Sequence, residues 1–208
     1  DNDDPLLEND RLRKLYPLIK ILVERFQDVY TPEQKLCIDE TMAPFRGRLR
    51  FRQYIKNKRH EFGIKVYKLC CDGGYTYNLQ VYCGSDGVQA GQAFANVVLY
   101  LIDGLFSSDR QLYTDNYYTC VSLATALLDK KAHLIGTLRS DSKYNPKEAV
   151  QKKLKAKKLF AQESETEVVV LKWRGKWDVL MLSAVHKDDL KQVKQRGGET
   201  DKPEVVVD

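Results

Sequence analysis

Lys35-Leu36-Cys37-Ile38-Asp39-Glu40-Thr41-Met42-Ala43-Pro44-Phe45-Arg46-Gly47-Arg48-Leu49-Arg50-Phe51 is the stretch on which the reading of this chain turns. Leu36 to Asp39 predicts a first core strand closed by a carboxylate, and an arginine-rich loop from Pro44 to Arg59 follows at once. An acid at the mouth of a buried strand is costly unless it holds a metal or another cation. An acid just upstream of a dense basic segment points to a metal beside a polyanion, with nucleic acid the first expectation.

Composition sets the bounds around that stretch. With 208 residues and 24.0 kDa the chain can hold one ordinary domain with a small inserted or appended module. Its 43% hydrophobic content supports a sizeable core. The net charge of +5 is unevenly spread: from Arg46 to Lys68 nine Lys or Arg stand against Glu61 alone. Such a face suits phosphate backbones, and a solvated charged loop is the bland alternative. Cys37, Cys70, Cys71, Cys83 and Cys120 form no C-x-x-C pair and the three histidines lack helical ligand spacing, so a zinc site is unsupported. The cysteines read as reduced core residues of an intracellular protein. No apolar run reaches membrane-spanning length, and the first residues lack a signal-peptide layout. A chain that opens on Asp1 reads as a piece of something larger.

Working outward, Leu15, Leu18, Ile19, Leu22, Val23 and Phe26 recur at helical spacing and predict one amphipathic helix over Arg11–Tyr30, leading into the core. Thr31-Pro32 stops it. Gly63–Cys71 and Tyr75–Tyr82 alternate as strands around the hairpin turn Asp72-Gly73-Gly74. Phe94 to Leu105 predicts a well-buried helix. A strand from Gln111 to Thr114 ends at Asp115-Asn116, a helix spans Thr119–Lys131, and His133–Leu138 is another strand. Strands interleaved with helices in this order indicate an α/β fold with part of its sheet parallel. After Arg139 the composition turns lysine-rich, and Val168–Trp173 and Trp177–Ser183 read as two strands of a β-rich insertion that returns to the main sheet. The polar tail ends on an apolar, strand-like run, Val205-Val206-Val207.

Asp39 and Asp115 therefore both close strands, a common place for catalytic groups because a rigid sheet fixes them while loops admit substrate. Two Mg²⁺ ions about 3.5–4 Å apart, held by carboxylates from separate strands, would serve in-line phosphoryl transfer. Aspartate at a strand end is equally a turn or helix-capping residue, and spacing alone leaves both readings open.

Longer motifs carry more. Cys37-Ile38-Asp39-Glu40-Thr41-Met42, Phe45-Arg46-Gly47-Arg48, Tyr54-Ile55-Lys56-Asn57-Lys58, Phe62-Gly63-Ile64-Lys65, Tyr113-Thr114-Asp115-Asn116-Tyr117-Tyr118-Thr119 and Gly136-Thr137-Leu138-Arg139 occur in this order. Together they resemble the catalytic domain of piggyBac transposases over nearly all of residues 30–190. The resemblance implies a ribonuclease-H-like mixed sheet flanked by helices with an insertion domain, and cut-and-paste DNA transposition at TTAA sites through a DNA-hairpin intermediate. It implies two divalent ions, Mg²⁺ or Mn²⁺, with Asp39 and Asp115 as the first two catalytic, metal-binding carboxylates. Double-stranded DNA (transposon ends and TTAA target), a homodimer of the full-length protein and a nuclear location follow from the same likeness. It divides the chain into 1–34 as the edge of a dimerisation and DNA-binding region, 35–139 as the first part of the core, 140–176 as the insertion and 177–208 as the return.

The family's third aspartate lies in a Gly-Gly-Val-Asp-like motif that this sequence lacks; neither Asp188-Asp189 nor Gly197-Gly198-Glu199 supplies it. The expectation is that the chain stops before the third ligand and is inactive alone. Arg46, Arg48, Arg50, Arg52, Lys56, Lys58 and Arg59 are the candidate DNA-phosphate contacts. Asn116 could orient a phosphate, or cap the next helix. Tyr117 and Tyr118 could stack on a base or pack in the core. The insertion's lysines with Trp173 and Trp177 could grip DNA, or simply pack. A domesticated, catalytically inactive descendant that binds DNA or protein is the alternative to an active transposase.

Overall fold

The computed structural model describes residues 11–56, 58–84, 90–106, 109–195 and 198–207. The chain divides after Gly104 into two compact units.

The first unit contains α1 (Tyr16–Asp28), β1 (Lys35–Pro44), β2 (Gln53–Tyr54), β3 (Phe62–Cys70), β4 (Thr76–Val81) and α2 (Ala90–Leu101). Its strands form an antiparallel sheet centred on β3, which pairs with β1, β2 and β4. Alternation decides which side chains enter the core: Leu36 and Ile38 of β1 are buried, while Cys37 and Asp39 between them face outward. Gly73 and Gly74, both at positive φ, close the β3–β4 turn, a conformation that glycine adopts without steric cost.

Three expectations change here. β1 does not stop at Asp39; it pairs with β3 from Cys37↔Cys70 through Pro44↔Gly63, so Asp39 is a mid-strand residue opposite Lys68. Acidic residues disfavour strands locally, but a continuous ladder with a long partner outweighs a propensity that spans only about 1 kcal/mol. The basic loop begins after Pro44, where it was expected, but contains the short β2. Finally, α1 buries none of its residues. Its apolar positions split into two stripes: Ile19, Val23 and Phe26 are half-buried, whereas Leu15, Leu18 and Leu22 are exposed. Tyr75 anchors the inner stripe, donating to the Phe26 carbonyl at 2.8 Å and stacking on Tyr30 with ring centroids 4.8 Å apart.

The second unit contains β5 (Arg110–Thr114), α3 (Val121–Leu128), β6 (Ala132–Thr137), α4 (Lys147–Gln151), β7 (Leu159–Glu163), β8 (Val169–Arg174), β9 (Asp178–Ser183), β10 (Leu190–Gln195), β11 (Gly198–Pro203) and α5 (Glu204–Val207). β5 and β6 are parallel, joined by α3 as the crossover. β9, β8 and β7 continue the sheet antiparallel from β6, giving a mixed sheet in the order β5-β6-β9-β8-β7. β10 and β11 form a separate hairpin. The architecture is thus mixed α/β, and the strands read as an insertion add directly to the sheet edge. Ile135, Val169, Leu171, Met181 and Val205 make one buried cluster.

That last residue corrects another expectation. Val205–Val207 is a helical turn and not a strand, since Pro203 ends β11 and the Glu204 N–H is taken by the Asp189 carbonyl at 2.9 Å. A helical turn lets Val205 enter the core while Val207 stays outside. The cysteines are free but not uniformly core: Cys71 is buried and Cys37 is exposed. No described helix is long and apolar enough to cross a membrane.

Candidate active site

Asp115 follows the last residue of β5, and the turn after it is tied down from several directions. Its Oδ1 accepts the Tyr117 N–H at 2.9 Å, an Asx turn that orients the carboxylate. Its carbonyl accepts the Tyr118 and Thr119 N–H groups at 3.3 and 3.1 Å. The buried Thr119 hydroxyl lies 2.7 Å from that same carbonyl and 2.8 Å from the Thr114 hydroxyl. Tyr118 is buried beneath the turn, while Asp115, Asn116 and Tyr117 are exposed. The frame is therefore rigid and the carboxylate faces outward.

A glycine on the neighbouring strand permits this arrangement. Gly136 pairs with Thr114 in the parallel ladder. A Cβ there would overlap the Thr114 carbonyl and the Thr119 hydroxyl and lie 3.0 Å from the Thr114 hydroxyl. Neither Thr119 nor Gly136 was singled out as a positioning residue from sequence. The available signal was a lone glycine inside a strand pattern, which marks close backbone approach.

The alternative roles are resolved in part. Asp115 does not cap α3; the N-cap is Cys120 and makes no side-chain cap bond, so Asn116 is not the cap either. Tyr117 and Tyr118 divide between surface and core, their rings edge-to-face at 5.3 Å.

Asp39 lies on the outer face of β1, exposed, with its Oδ1 accepting the Glu40 N–H at 2.7 Å. Glu40 takes the opposite face, and its carboxylate is 3.4 Å from Lys58 Nζ. This ion pair ties the far end of the basic loop back to β1. Arg52 braces the near end, donating to the Arg46 and Gly47 carbonyls at 3.1 Å each and lying 5.4 Å from the Phe62 ring centre. Arg46, Arg48, Arg50, Lys56 and Arg59 are exposed. Arg46, Lys58 and Arg59 line one cleft of about 610 Å³ with Phe45, His60 and Phe62. The first unit thus brings these three cations together, while Arg52 spends part of its donor set inside the loop.

Asp39 and Asp115 belong to different units. Among the described residues no three His, Cys, Asp or Glu side chains gather into a group able to hold a metal ion. The two acids do supply hard carboxylate oxygens on exposed side chains, the donor type that suits Mg²⁺ or Mn²⁺.

The family model described as Transposase IS4 matches residues 1–208. PiggyBac transposable element-derived protein 3 of Homo sapiens is 30% identical over 146 residues, 67% of this chain and 24% of that protein. The Chimeric ERCC6-PGBD3 protein of Homo sapiens is 30% identical over 146 residues, 14% of its length. Among solved structures, a chain of the piggyBac transposase synaptic complex with hairpin DNA superposes with a TM-score of 0.81 at 28% identity. That match covers 97% of this chain and 42% of the other. The chain thus spans about a quarter of the human relative it matches and less than half of the solved transposase chain. A family match over its whole length and the ribonuclease-H-like fold of a solved piggyBac transposase give one answer: the chain belongs to the Transposase IS4 family, as a piggyBac-type transposase domain.

Proposed function

We propose that this domain is a catalytic-core segment of a cut-and-paste DNA transposase acting at TTAA sites, with Asp39 and Asp115 as two of its three catalytic carboxylates. The observation that carries the reading is the Asp115 turn: a carboxylate aimed outward at the end of a parallel strand by an Asx turn and a buried hydroxyl.

In this reading Asp39 and Asp115 hold divalent ions, Mg²⁺ or Mn²⁺, together with a third carboxylate. When bound, such a pair of ions activates the attacking water or 3′-hydroxyl and stabilises charge on the leaving oxygen. Arg46, Arg48, Arg50, Lys56 and Arg59 neutralise backbone phosphates of double-stranded DNA, each adding about 0.9 to the salt dependence of binding. Lys58 and Arg52 hold that loop in shape. Asn116, exposed beside Asp115, donates to a phosphate oxygen in this reading. Action on DNA as a homodimer in the nucleus completes the proposal.

The test is a Mg²⁺- or Mn²⁺-dependent cleavage assay with the full-length protein on DNA carrying a transposon end flanked by TTAA, beside Asp39→Ala and Asp115→Ala. Nicked and hairpin products that vanish in both variants support the assignment. Cleavage that survives both substitutions sinks it.

A second reading has its own support: the human relative is named as a transposable element-derived protein. A chain that has kept the fold and lost catalysis would bind such DNA and leave it uncut in every metal tested.

A further inference from the structure

The second unit carries a cleft of about 510 Å³ that the Asp115 turn does not share, lined by Lys157, Trp173, Lys176, Trp177, Thr200 and Lys202 among others. Its volume falls in the range of about 300–1,000 Å³ typical of small-ligand sites. The hairpin between β8 and β9 forms one wall and β11 the other.

The cleft is built from tied-down backbone. Gly175 N–H closes the hairpin onto the Trp177 carbonyl at 3.1 Å, and Lys157 N–H reaches the Arg174 carbonyl at 2.7 Å. The Trp173 indole lies directly over Gly175, where any Cβ would come within 2.6 Å of the ring. Trp173 is thereby fixed as a half-buried floor. Trp177 is 71% exposed, an uncommon state for so large an apolar side chain. Lys176 Nζ lies 5.8 Å from the Trp177 ring centre.

Charge narrows the choice of occupant. Lys157, Lys176 and Lys202 are the charged residues among the described lining, and it contains no acid. The nearby Asp178 is engaged by Arg174 at 2.9 Å and Lys172 at 3.5 Å. An apolar peptide would leave three ammonium groups unused, and an acidic peptide would leave an exposed indole unused. An unpaired nucleotide uses both, because its base has a π-face to stack and its phosphates need cations. A base paired inside a duplex, away from its ends, presents no free face.

We propose that this cleft binds an unpaired nucleotide of a DNA strand, with its base stacked on Trp177 and its phosphates held by Lys176 and Lys202. This rests on DNA being the partner, as above, but assigns a separate subsite with a different role: holding a frayed or single-stranded end.

The chain has two tryptophans, Trp173 and Trp177, and both line this cleft, so selectively excited tryptophan fluorescence reports on the cleft and not on the 46–59 loop. Titration of the chain with oligothymidylate should quench that emission saturably, and an equal-length duplex should quench it less. By anisotropy of labelled oligothymidylate, Trp177→Ala should weaken binding about ten-fold or more. The double substitution Lys176→Ala, Lys202→Ala should lower the slope of log affinity against log salt by about 1.4. Trp177 is exposed, so its alanine variant should melt with the parent and exclude misfolding as the cause. Duplex binding with no quenching by single strands, or an undiminished affinity in Trp177→Ala, overturns this inference and leaves the DNA reading intact. Quenching by polyglutamate equal to that by oligothymidylate also overturns it, in favour of an acidic peptide. Failure to bind any DNA overturns both.

Discussion

Replacing Thr119 by valine removes one hydroxyl and almost nothing else, because the two side chains have nearly the same shape. The structure sets the size of the effect. The Asp115 carbonyl loses the 2.7 Å bond from the hydroxyl but keeps the Tyr118 and Thr119 N–H groups. The Thr114 hydroxyl loses its 2.8 Å partner while 8% exposed, so it is the group left with a desolvation penalty. One such group in a site without a new cavity costs about 1–2 kcal/mol, toward the lower end for an unsatisfied buried polar group. For a chain of this length that is a fall of about 2–8 °C in melting temperature. Thr119→Ser is the matched control: it keeps the clamp and loses a methyl, worth a similar ~1 kcal/mol. The two variants should therefore melt close together and separate in metal-dependent DNA cleavage, with valine impaired and serine near the parent. Thermal melts followed by circular dichroism, run beside the cleavage assay, check both halves. A Thr119→Val protein as stable as the parent, or a serine variant equally poor in cleavage, would refute the positioning argument.

Gly136→Ala attacks the same clamp from the neighbouring strand. Its Cβ must displace the Thr114 carbonyl or the Thr119 hydroxyl, so a loss of about 1–3 kcal/mol is expected in urea denaturation. Combined with Thr119→Val, it should destabilise by less than the sum of the two, since both act on one contact. The Arg174 guanidinium, hydrogen-bonded to Asp178 at 2.9 Å, holds that carboxyl below its ordinary value, with Lys172 assisting. A carboxyl depressed in the folded state adds stability above its unfolded pKa and loses it as pH falls through the lower folded value. Asp178→Asn should therefore lower the urea midpoint near neutral pH, and the gap to the parent should close below about pH 4. A gap of constant size across that range would show that the ion pair is not its source.

Much of this molecule could be read from local pattern. Residues of period two placed β3 and β4, short apolar runs placed β8 and β9, and the β5–α3–β6 order announced a parallel pair, because such patterns are properties of the chain itself. Asp115 at a strand end and the basic run from Arg46 to Arg59 were equally legible, and the motif order pointed to the family.

Other features depend on what the chain packs against. β1 runs past Asp39 because β3 offers a ladder along its length, and no local signal reveals the length of a partner strand. The inner stripe of α1 is chosen by Tyr75, 49 residues after Phe26, whose carbonyl it binds. Val205 becomes a core knob on a helical turn because a space between strands receives it, whereas its three-valine run favours a strand by propensity. The threonine clamp exists only where β6 brings Gly136 against Thr114. Periodicity belongs to the sequence; register, close approach and burial of a particular face arise between segments distant in sequence, and only the tertiary structure decides them.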